Sequence, residues 1–220
     1  MEVGILGGTG PAGGGLAARL ASVGIDVVIG SRSKERANEA CAAIAAKWPD
    51  RELSLSPADN AVAAEAELIV IATPWEAAAA TAASVAAQLE GKVVVSMANA
   101  LTRMGHEFEP LVPPRGSVAA HVQSAVPSSL VAAAFHHLPA KALAQLDLPM
   151  EGDVLICSDH PAAYDATARL VDAIPGLRPL NAGSLSNATP IEAITAVLLQ
   201  LNVRYRTRAA LRITGIDPKR

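Results

Sequence analysis

The chain has 220 residues, enough to bury a core, and with 51% hydrophobic but only 3% aromatic residues that core must be aliphatic. A net charge of −3 gives no general basis for binding nucleic acid or a membrane surface, and Cys41 and Cys157 form no CxxC pair for metal or thiol chemistry. No basic leader precedes the first apolar run, and the alanine-rich stretch 77–87 is too weakly apolar to span a bilayer, so a cytoplasmic protein is expected.

The first element carries the strongest signal. An apolar run from Val3 to Leu6 stops at Gly7-Gly8-Thr9-Gly10-Pro11-Ala12-Gly13, and an apolar-periodic segment (Leu16, Leu20, Val23) follows at once. In this strand–turn–helix context Gly8-x-Gly10-x-x-Gly13 reads as a dinucleotide fingerprint. The glycines permit the tight turn, the close approach of a pyrophosphate and close helix–strand packing. Thr9, Pro11 and Ala12 belong to the same cradle, where amides at a helix start face the anion.

A second strand at 26–29 ends in Ser31-Arg32-Ser33, with Arg36 one helical turn on. An NAD site would carry an acid here. A guanidinium and hydroxyls suit a 2′-phosphate instead, which points to NADP, although Ser33 also fits a plain N-cap. A helix over 33–47, an alternating strand over 52–56 and a helical stretch over 57–66 are expected next. The continuous apolar strand 68–72 delivers Thr73-Pro74-Trp75-Glu76, whose spacing predicts a capping box with Pro74 at the first helical position. The same place puts Thr73, Pro74 and Trp75 at a strand's carboxyl end, where ligands of such sheets bind.

The strand 92–96 ends in Met97-Ala98-Asn99, again on the ligand side, and 100–114 reads as a long loop. A strand over 130–135 leads into His136-His137-Leu138-Pro139. Beyond it come a strand at 153–157, a helix over 161–174, a strand at 177–180 and a long final helix from near Ser186. The fold class is therefore α/β: an N-terminal Rossmann, doubly wound parallel sheet over 1–138, and a smaller C-terminal α/β unit over 139–220 ending in a long helix.

No metal site is expected. His136 and His137 are adjacent and would face opposite sides of a strand, and no third ligand follows at a suitable interval. No G-x-S-x-G elbow occurs, and no acid–base pair is apparent on the ligand side, where His136 alone could titrate near neutrality. From Leu185 onward six basic residues stand against two acids, and Arg204, Arg208 and Arg212 would share a helix face. That face is either solvated or a dock for an acidic ligand or subunit.

These residues resemble the NADP oxidoreductases that use coenzyme F420, the 8-hydroxy-5-deazaflavin. The likeness rests on 6–11 with Gly13, Ile29-Gly30-Ser31-Arg32, Thr73-Pro74-Trp75-Glu76 and Ala134-Phe135-His136-His137-Leu138-Pro139. It continues through Gly176-Leu177-Arg178-Pro179-Leu180, Leu185-Ser186-Asn187-Ala188, Asn202-Val203-Arg204-Tyr205-Arg206 and Leu211-Arg212-Ile213-Thr214-Gly215. Val203 and the stretch 98–114 depart from the pattern. The resemblance implies direct hydride exchange between NADP(H) and the deazaflavin. Thr9, Ser31, Arg32 and Arg36 would hold the 2′-phosphate end, and His136, Leu138 and Pro139 would lie where the two rings meet. Asn99, Met97, Asn187 and Arg204 complete the expected cofactor-binding set, and His136 is the ring-positioning candidate. The expected partners are small-molecule cofactors only, with a homodimer as the assembly. Two other readings stay open, a hydroxyacid or imine reductase and a non-catalytic NADP sensor. The first would want a helical lysine that the final helix lacks before Lys219.

Overall fold

The structure, a computed structural model, describes residues 1–216. In chain order, β1 (Glu2–Leu6) leads through the glycine turn into α1 (Pro11–Ala21), and β2 (Asp26–Ser31) leads into α2 (Lys34–Lys47). Next come β3 (Leu55–Asp59), the single turn α3 (Asn60–Ala63), β4 (Leu68–Ile71), α4 (Trp75–Ser84), the short α5 (Ala86–Leu89) and β5 (Val93–Ser96). A hairpin of β6 (Leu101–Met104) and β7 (Glu107–Pro110) precedes α6 (Val118–Ala125) and β8 (Leu130–Ala133). The short α7 (Ala140–Leu143), β9 (Gly152–Ser158), α8 (Pro161–Asp172) and β10 (Leu177–Asn181) follow. A 3-10 turn at Leu185–Asn187 then runs into the long α9 (Ala188–Tyr205).

Eight strands form one sheet in the order β10-β9-β8-β5-β4-β1-β2-β3. From β3 to β8 every pair is parallel; β9 joins β8 antiparallel and carries β10 parallel to itself. The strands of the expected C-terminal unit thus extend the same sheet. β4 (Leu-Ile-Val-Ile) is buried throughout, as a parallel strand covered on both faces must be. Alternate side chains feed two cores. Val3, Ile5 and Val70 pack with Leu16, Leu20 and Leu170, while Leu6, Ile69 and Ile71 pack with Ala78 and Val122 on the other face. From β1 the chain winds first toward β3 and then back toward β8. That reversal between β1 and β4 opens a crevice at their carboxyl ends. Among the described residues no helix is long and apolar enough to cross a membrane.

Several expected elements shift. The strand expected over 52–56 lies at β3, and the helix expected over 57–66 shrinks to α3. Pro57 fits the edge strand opposite Ile29, where its missing N–H deprives no partner. The helix starts only once Asp59 can accept from the Val62 N–H at 2.9 Å. Residues 100–114 are not one long loop, because Gly105 (φ +62°) and His106 close the β6–β7 hairpin, whose second strand packs on α9. The capping box does not form. Pro74 occupies the N-cap rather than the first helical position, so Thr73 lies one residue too early to cap α4. β8 stops at Ala133 because Phe135 takes a left-handed conformation (φ 63°). His136 and His137 therefore sit in a turn, not on opposite sides of a strand, and their rings meet edge to face at 5.0 Å. Finally, α9 ends at Tyr205 with Arg206 left-handed (φ 49°), so Arg208 and Arg212 leave the helix and share no face with Arg204.

Candidate functional site

An open cleft of about 840 Å³ follows the carboxyl ends of β2, β1 and β4. It brings together Thr9, Gly10, Ser31, Arg32, Ser33, Arg36, Thr73 and Pro74 of the expected set. The glycines of its floor serve different ends. Gly7 has φ +74°, and a Cβ there would come within 2.5 Å of Thr73. A Cβ on Gly13 would sit 2.9 Å from both the Gly8 Cα and the Ala72 Cβ, so this glycine lets α1 pack on the turn and Gly8 supplies the other half of the contact. Gly10 is different. A Cβ there would meet nothing nearer than the Gly7 carbonyl at 3.9 Å, so the protein's own packing does not need that glycine. The space is left open above the first turn of α1. There Pro11 has no N–H, and the amides of Ala12 and Gly13 precede the first intrahelical bond, from Gly14 to Gly10.

At the β2 end, Ser31 is buried and its Oγ accepts from the Ser33 N–H at 3.3 Å. Ser33 caps α2, its hydroxyl accepting from the Arg36 N–H at 3.4 Å. The same hydroxyl donates to Glu35 Oε2 at 2.7 Å. Arg32 and Arg36 are exposed, and neither makes an ion pair among the described residues. Two guanidinium groups with no ion pair at the mouth of the cleft suit a dianion. At the β4 end the Thr73 hydroxyl is buried without a partner, which is the consequence of the failed capping box. Such an orphan on a cleft wall fits a ligand that supplies the partner.

Asn60 is a cleft residue the sequence reading missed. Its Oδ1 accepts from the Gly7 N–H at 3.4 Å, steadying the turn from α3. Nothing local marks it; only the pairing of β3 with β2 brings it there. Trp75, expected in the crevice, packs instead against the core beneath α4 and α6.

At the β8 end the residues are closed in. His136 is only 4% exposed, and neither ring nitrogen finds a hydrogen-bond partner. Burial first, and then the neighbouring His137 ring, push its pKa well below the ordinary 6.5, and the Ala134 carbonyl pulls only weakly the other way. It therefore stays neutral and does not titrate near neutrality as expected. His137 Nε2 lies 3.0 Å from the Asp153 carbonyl, tying the turn to β9. Asn99 donates from Nδ2 to the His136 carbonyl at 2.7 Å and accepts at Oδ1 from the Thr195 hydroxyl at 3.2 Å. This chain of bonds joins β5, the histidine turn and α9. Met97 is buried in the core and Leu138 nearly so, while Pro139 lines a small pocket of about 160 Å³. Asn187 is exposed, with its Nδ2 donating to the Ala182 carbonyl at 2.7 Å; Arg204 is exposed on the last turn of α9.

Three buried ionisable residues were not anticipated: Asp153 on β9, Glu192 and Arg19. Glu192 on α9 accepts from the Val118 and Ala119 amides at 2.8 and 3.1 Å, capping α6 from outside, and burial pushes its pKa up to about 7. Arg19 on α1 donates to the carbonyls of Ala142, Leu143, Gln145 and Leu148, clamping the segment after α7. Both cysteines are free, and burial raises both thiols, Cys157 to about 11, so neither is a ready nucleophile.

A family model described as NADP oxidoreductase, coenzyme F420-dependent, matches residues 2–100. The F420-dependent NADP reductase of Methanocaldococcus jannaschii is 36% identical across 99% of this chain and 100% of its own length. Its namesake in Methanothermobacter marburgensis is 37% identical across 98% of this chain and 99% of its own length. Among solved structures, a putative F420-dependent NADP-reductase from Arthrobacter sp. FB24 superposes with a TM-score of 0.78 at 25% identity, covering 96% of this chain and 98% of that one.

Proposed function

The chain belongs to the family of coenzyme F420-dependent NADP reductases, and from that premise we propose that it passes a hydride directly between NADP(H) and the deazaflavin coenzyme. The observation that carries the first half is the cleft, with two unpaired arginines at one end and an open space over Gly10 at the other. In this reading Arg32, Arg36, Ser31 and Ser33 hold the 2′-phosphate end. The amides of Thr9, Ala12 and Gly13 hold the pyrophosphate, with Gly8, Gly10 and Pro11 shaping the turn beneath it. Thr73, Pro74 and Asn99 mark the path toward the nicotinamide. The ends of β2, β1, β4, β5 and β8 are successive neighbours in the sheet, roughly 4.8 Å apart, so an extended dinucleotide laid across them ends beside the histidine turn.

The turn 136–139 would hold the deazaflavin ring, with the neutral His136 ring, packed edge to face on His137, keeping that turn in place. When bound, the two coenzymes themselves supply the hydride donor and acceptor carbons. The protein holds them in contact and excludes water, which can account for roughly 7–11 kcal/mol of the barrier. No side chain needs to move a proton, consistent with the neutral His136 and the raised thiols. The division into an NADP-binding unit 1–138 and a unit 139–220 that completes the crevice belongs to the same proposal. So do a cytoplasmic location and a homodimer, the latter supported by exposed Ile194, Val197, Leu201 and Tyr205 at helical spacing on α9.

The test is spectroscopic. Loss of the oxidised deazaflavin absorbance with NADPH, and none with a simple imine or hydroxyacid partner, is the expected result. Deuterium placed on the transferring nicotinamide carbon should appear in the reduced deazaflavin without exchange with solvent. NADPH binding with no oxidation would leave only a sensor.

A further inference from the structure

We infer that the buried Arg19 is a positioning residue for the hydride step, fixing the histidine turn against the helix that carries the pyrophosphate cradle; this rests on the reading just given. Arg19 lies in the last turn of α1, only 6% exposed, and no carboxylate pairs with it among the described residues. Its guanidinium meets backbone carbonyls instead. Nη2 donates to Ala142 at 2.8 Å and to Gln145 at 2.6 Å, Nε to Leu143 at 3.2 Å and Nη1 to Leu148 at 3.3 Å. Ala142 and Leu143 end α7, where a helix has more carbonyls than amides to bond them, and Gln145 and Leu148 lie in the irregular stretch that follows. A planar fork of five N–H donors spans all four carbonyls at once, which the compact ammonium of a lysine cannot do.

The clamp reaches the turn through α7. The carbonyl of Pro139, the last residue of the turn, accepts from the Ala142 and Leu143 amides at 2.8 and 3.1 Å, so turn and helix move as one unit. Upstream the turn is tied by Asn99 and by His137. Downstream it hangs on α7, which packs against α1 at two defined points. One is Arg19. The other is Gly15, one helical turn earlier, where a Cβ would come within 3.0 Å of the Ala140 carbonyl and 3.1 Å of the Leu143 Cβ. The start of α1 faces the pyrophosphate, and its end holds the seat of the second ring. One helix therefore sets the position of both coenzymes.

Two further cations reach the same stretch from the far end of α2. Lys47 donates to the Ala144 carbonyl at 2.8 Å, and Arg51 donates to the Leu146 carbonyl at 3.4 Å and pairs with Asp147 at 3.2 Å. Both side chains are exposed, and exposed pairs contribute little. Arg19 differs in being dry. Burial first, and then the nearby Arg51, draw its pKa below the ordinary value, so the four carbonyls are what keep the charge inside. A stretch of backbone that satisfies a buried cation cannot shift without stranding it, which costs far more than parting an exposed pair.

The test compares Arg19→Lys and Gly15→Ala with Arg51→Gln in the full chain. Arg19→Lys keeps the charge and loses the fork, whereas Gly15→Ala pushes α7 off α1 without touching Arg19. In single turnover with both coenzymes bound, each of the first two should slow hydride transfer about tenfold, since a misplacement of about 1 Å costs about a hundredfold. KM for NADPH should stay unchanged. The primary deuterium isotope effect, nearly independent of temperature in the wild type, should become temperature-dependent as the separation of the two reacting carbons broadens. Arg51→Gln should match the wild type throughout. A structural role alone would lower the melting temperature and leave the rate and isotope effect per folded molecule unchanged, and that result overturns the inference. If Arg19→Lys does not fold, Gly15→Ala decides, and a wild-type isotope effect there is equally fatal. Amide hydrogen exchange over 136–148, measured without coenzymes, should quicken in the folded variants and not in Arg51→Gln; unchanged exchange removes the clamp. Quickened exchange in a protein whose wild type passes no hydride to the deazaflavin strikes the proposed activity and leaves the clamp standing.

Discussion

At the β1–β2 end of the ligand edge the charged cleft residues, Arg32 and Arg36, are exposed, and they follow the glycine turn and the buried Ser31 within one stretch of chain. At the β8 end the binding groups are buried, neutral and gathered from β5, the histidine turn, β9 and α9. The first end leaves the guanidinium donors of Arg32 and Arg36 without ion pairs among the described residues. The second uses its donors on itself, fixing a turn on which an aromatic ring can lie. Charge recognition tolerates mobile side chains, whereas aligning two rings for hydride transfer does not, and that difference in demand matches the difference in construction.

The sharpest way to break this contrast is at the glycines. Gly10→Ala should leave the unliganded melting temperature within a few degrees, because the new methyl meets no protein atom closer than 3.9 Å. Its KM for NADPH should nevertheless rise by more than about a hundredfold, the methyl standing where the pyrophosphate must come close. Gly13→Ala should do the reverse first, costing about 1–3 kcal/mol of stability by overpacking against Gly8 and Ala72. Equal effects of the two changes on unfolding would show that Gly10 is structural after all. Arg32→Ala comes next. It should raise KM for NADPH roughly ten- to hundredfold and KM for NADH hardly at all, as removal of one charge-assisted contact of about 1.5–3 kcal/mol requires. A wild type indifferent between the two nucleotides would undo the reading of the β2 end.

The same contrast explains what could be read from the sequence. The cleft was legible residue by residue, since Gly8, Gly10, Gly13 and Arg32 are local consequences of one turn and one strand end. Asn60 was not, because its place depends on a pairing between β2 and β3. The two-residue turn Gly105-His106 between alternating runs was a hairpin signal of the ordinary kind, masked by the prolines that follow it. The misplacement of His137 came from extending β8 through Phe135, a residue with no sequence mark of its positive φ. Arg206 likewise ends α9 without a glycine. The bonds of Glu192 and Thr195 span 96 residues at their longest and have no local trace.

Glu192 gives a smaller effect, on stability and not on chemistry. Its carboxyl rises from the ordinary 4.5 to about 7 on folding, so the folded chain holds a proton that the unfolded chain has released. Stability should therefore be greatest below about pH 4.5 on this account, fall as the pH rises to 7, and stay lowered above it. The whole span is on the order of 3 kcal/mol at most, and solvent relaxation will reduce it. Glu192→Gln, a mimic of the neutral acid, should flatten that slope in chemical denaturation at several pH values and gain on the wild type above pH 7. Parallel curves for the two proteins would show that the carboxyl is ionised in the fold.

Smallest of all should be the pH dependence of the hydride step. His136 and His137 both have pKa values lowered chiefly by burial, and at His136 the neighbouring ring adds to the depression. Both are harder to protonate than an exposed histidine, which titrates at about pH 6–8, and His136 the more so. A neutral ring that only supports the turn gives the rate nothing to follow. The single-turnover rate with both coenzymes bound should be flat across that range, even while the Glu192 equilibrium shifts stability beneath it. Acid should act on the fold instead. The unfolded chain takes up protons on both histidines near pH 6.5 and the folded chain does not, so the stability present above that pH drains away below it. Replacing His136 with Phe, which keeps the bulk and removes the titration, should soften the acid loss. A rate that rises or falls with an apparent pKa near 6.5 in the wild type, and not in His136→Phe, would make His136 a participant in proton transfer and erase the distinction between a turn that only holds a ring and one that acts on it.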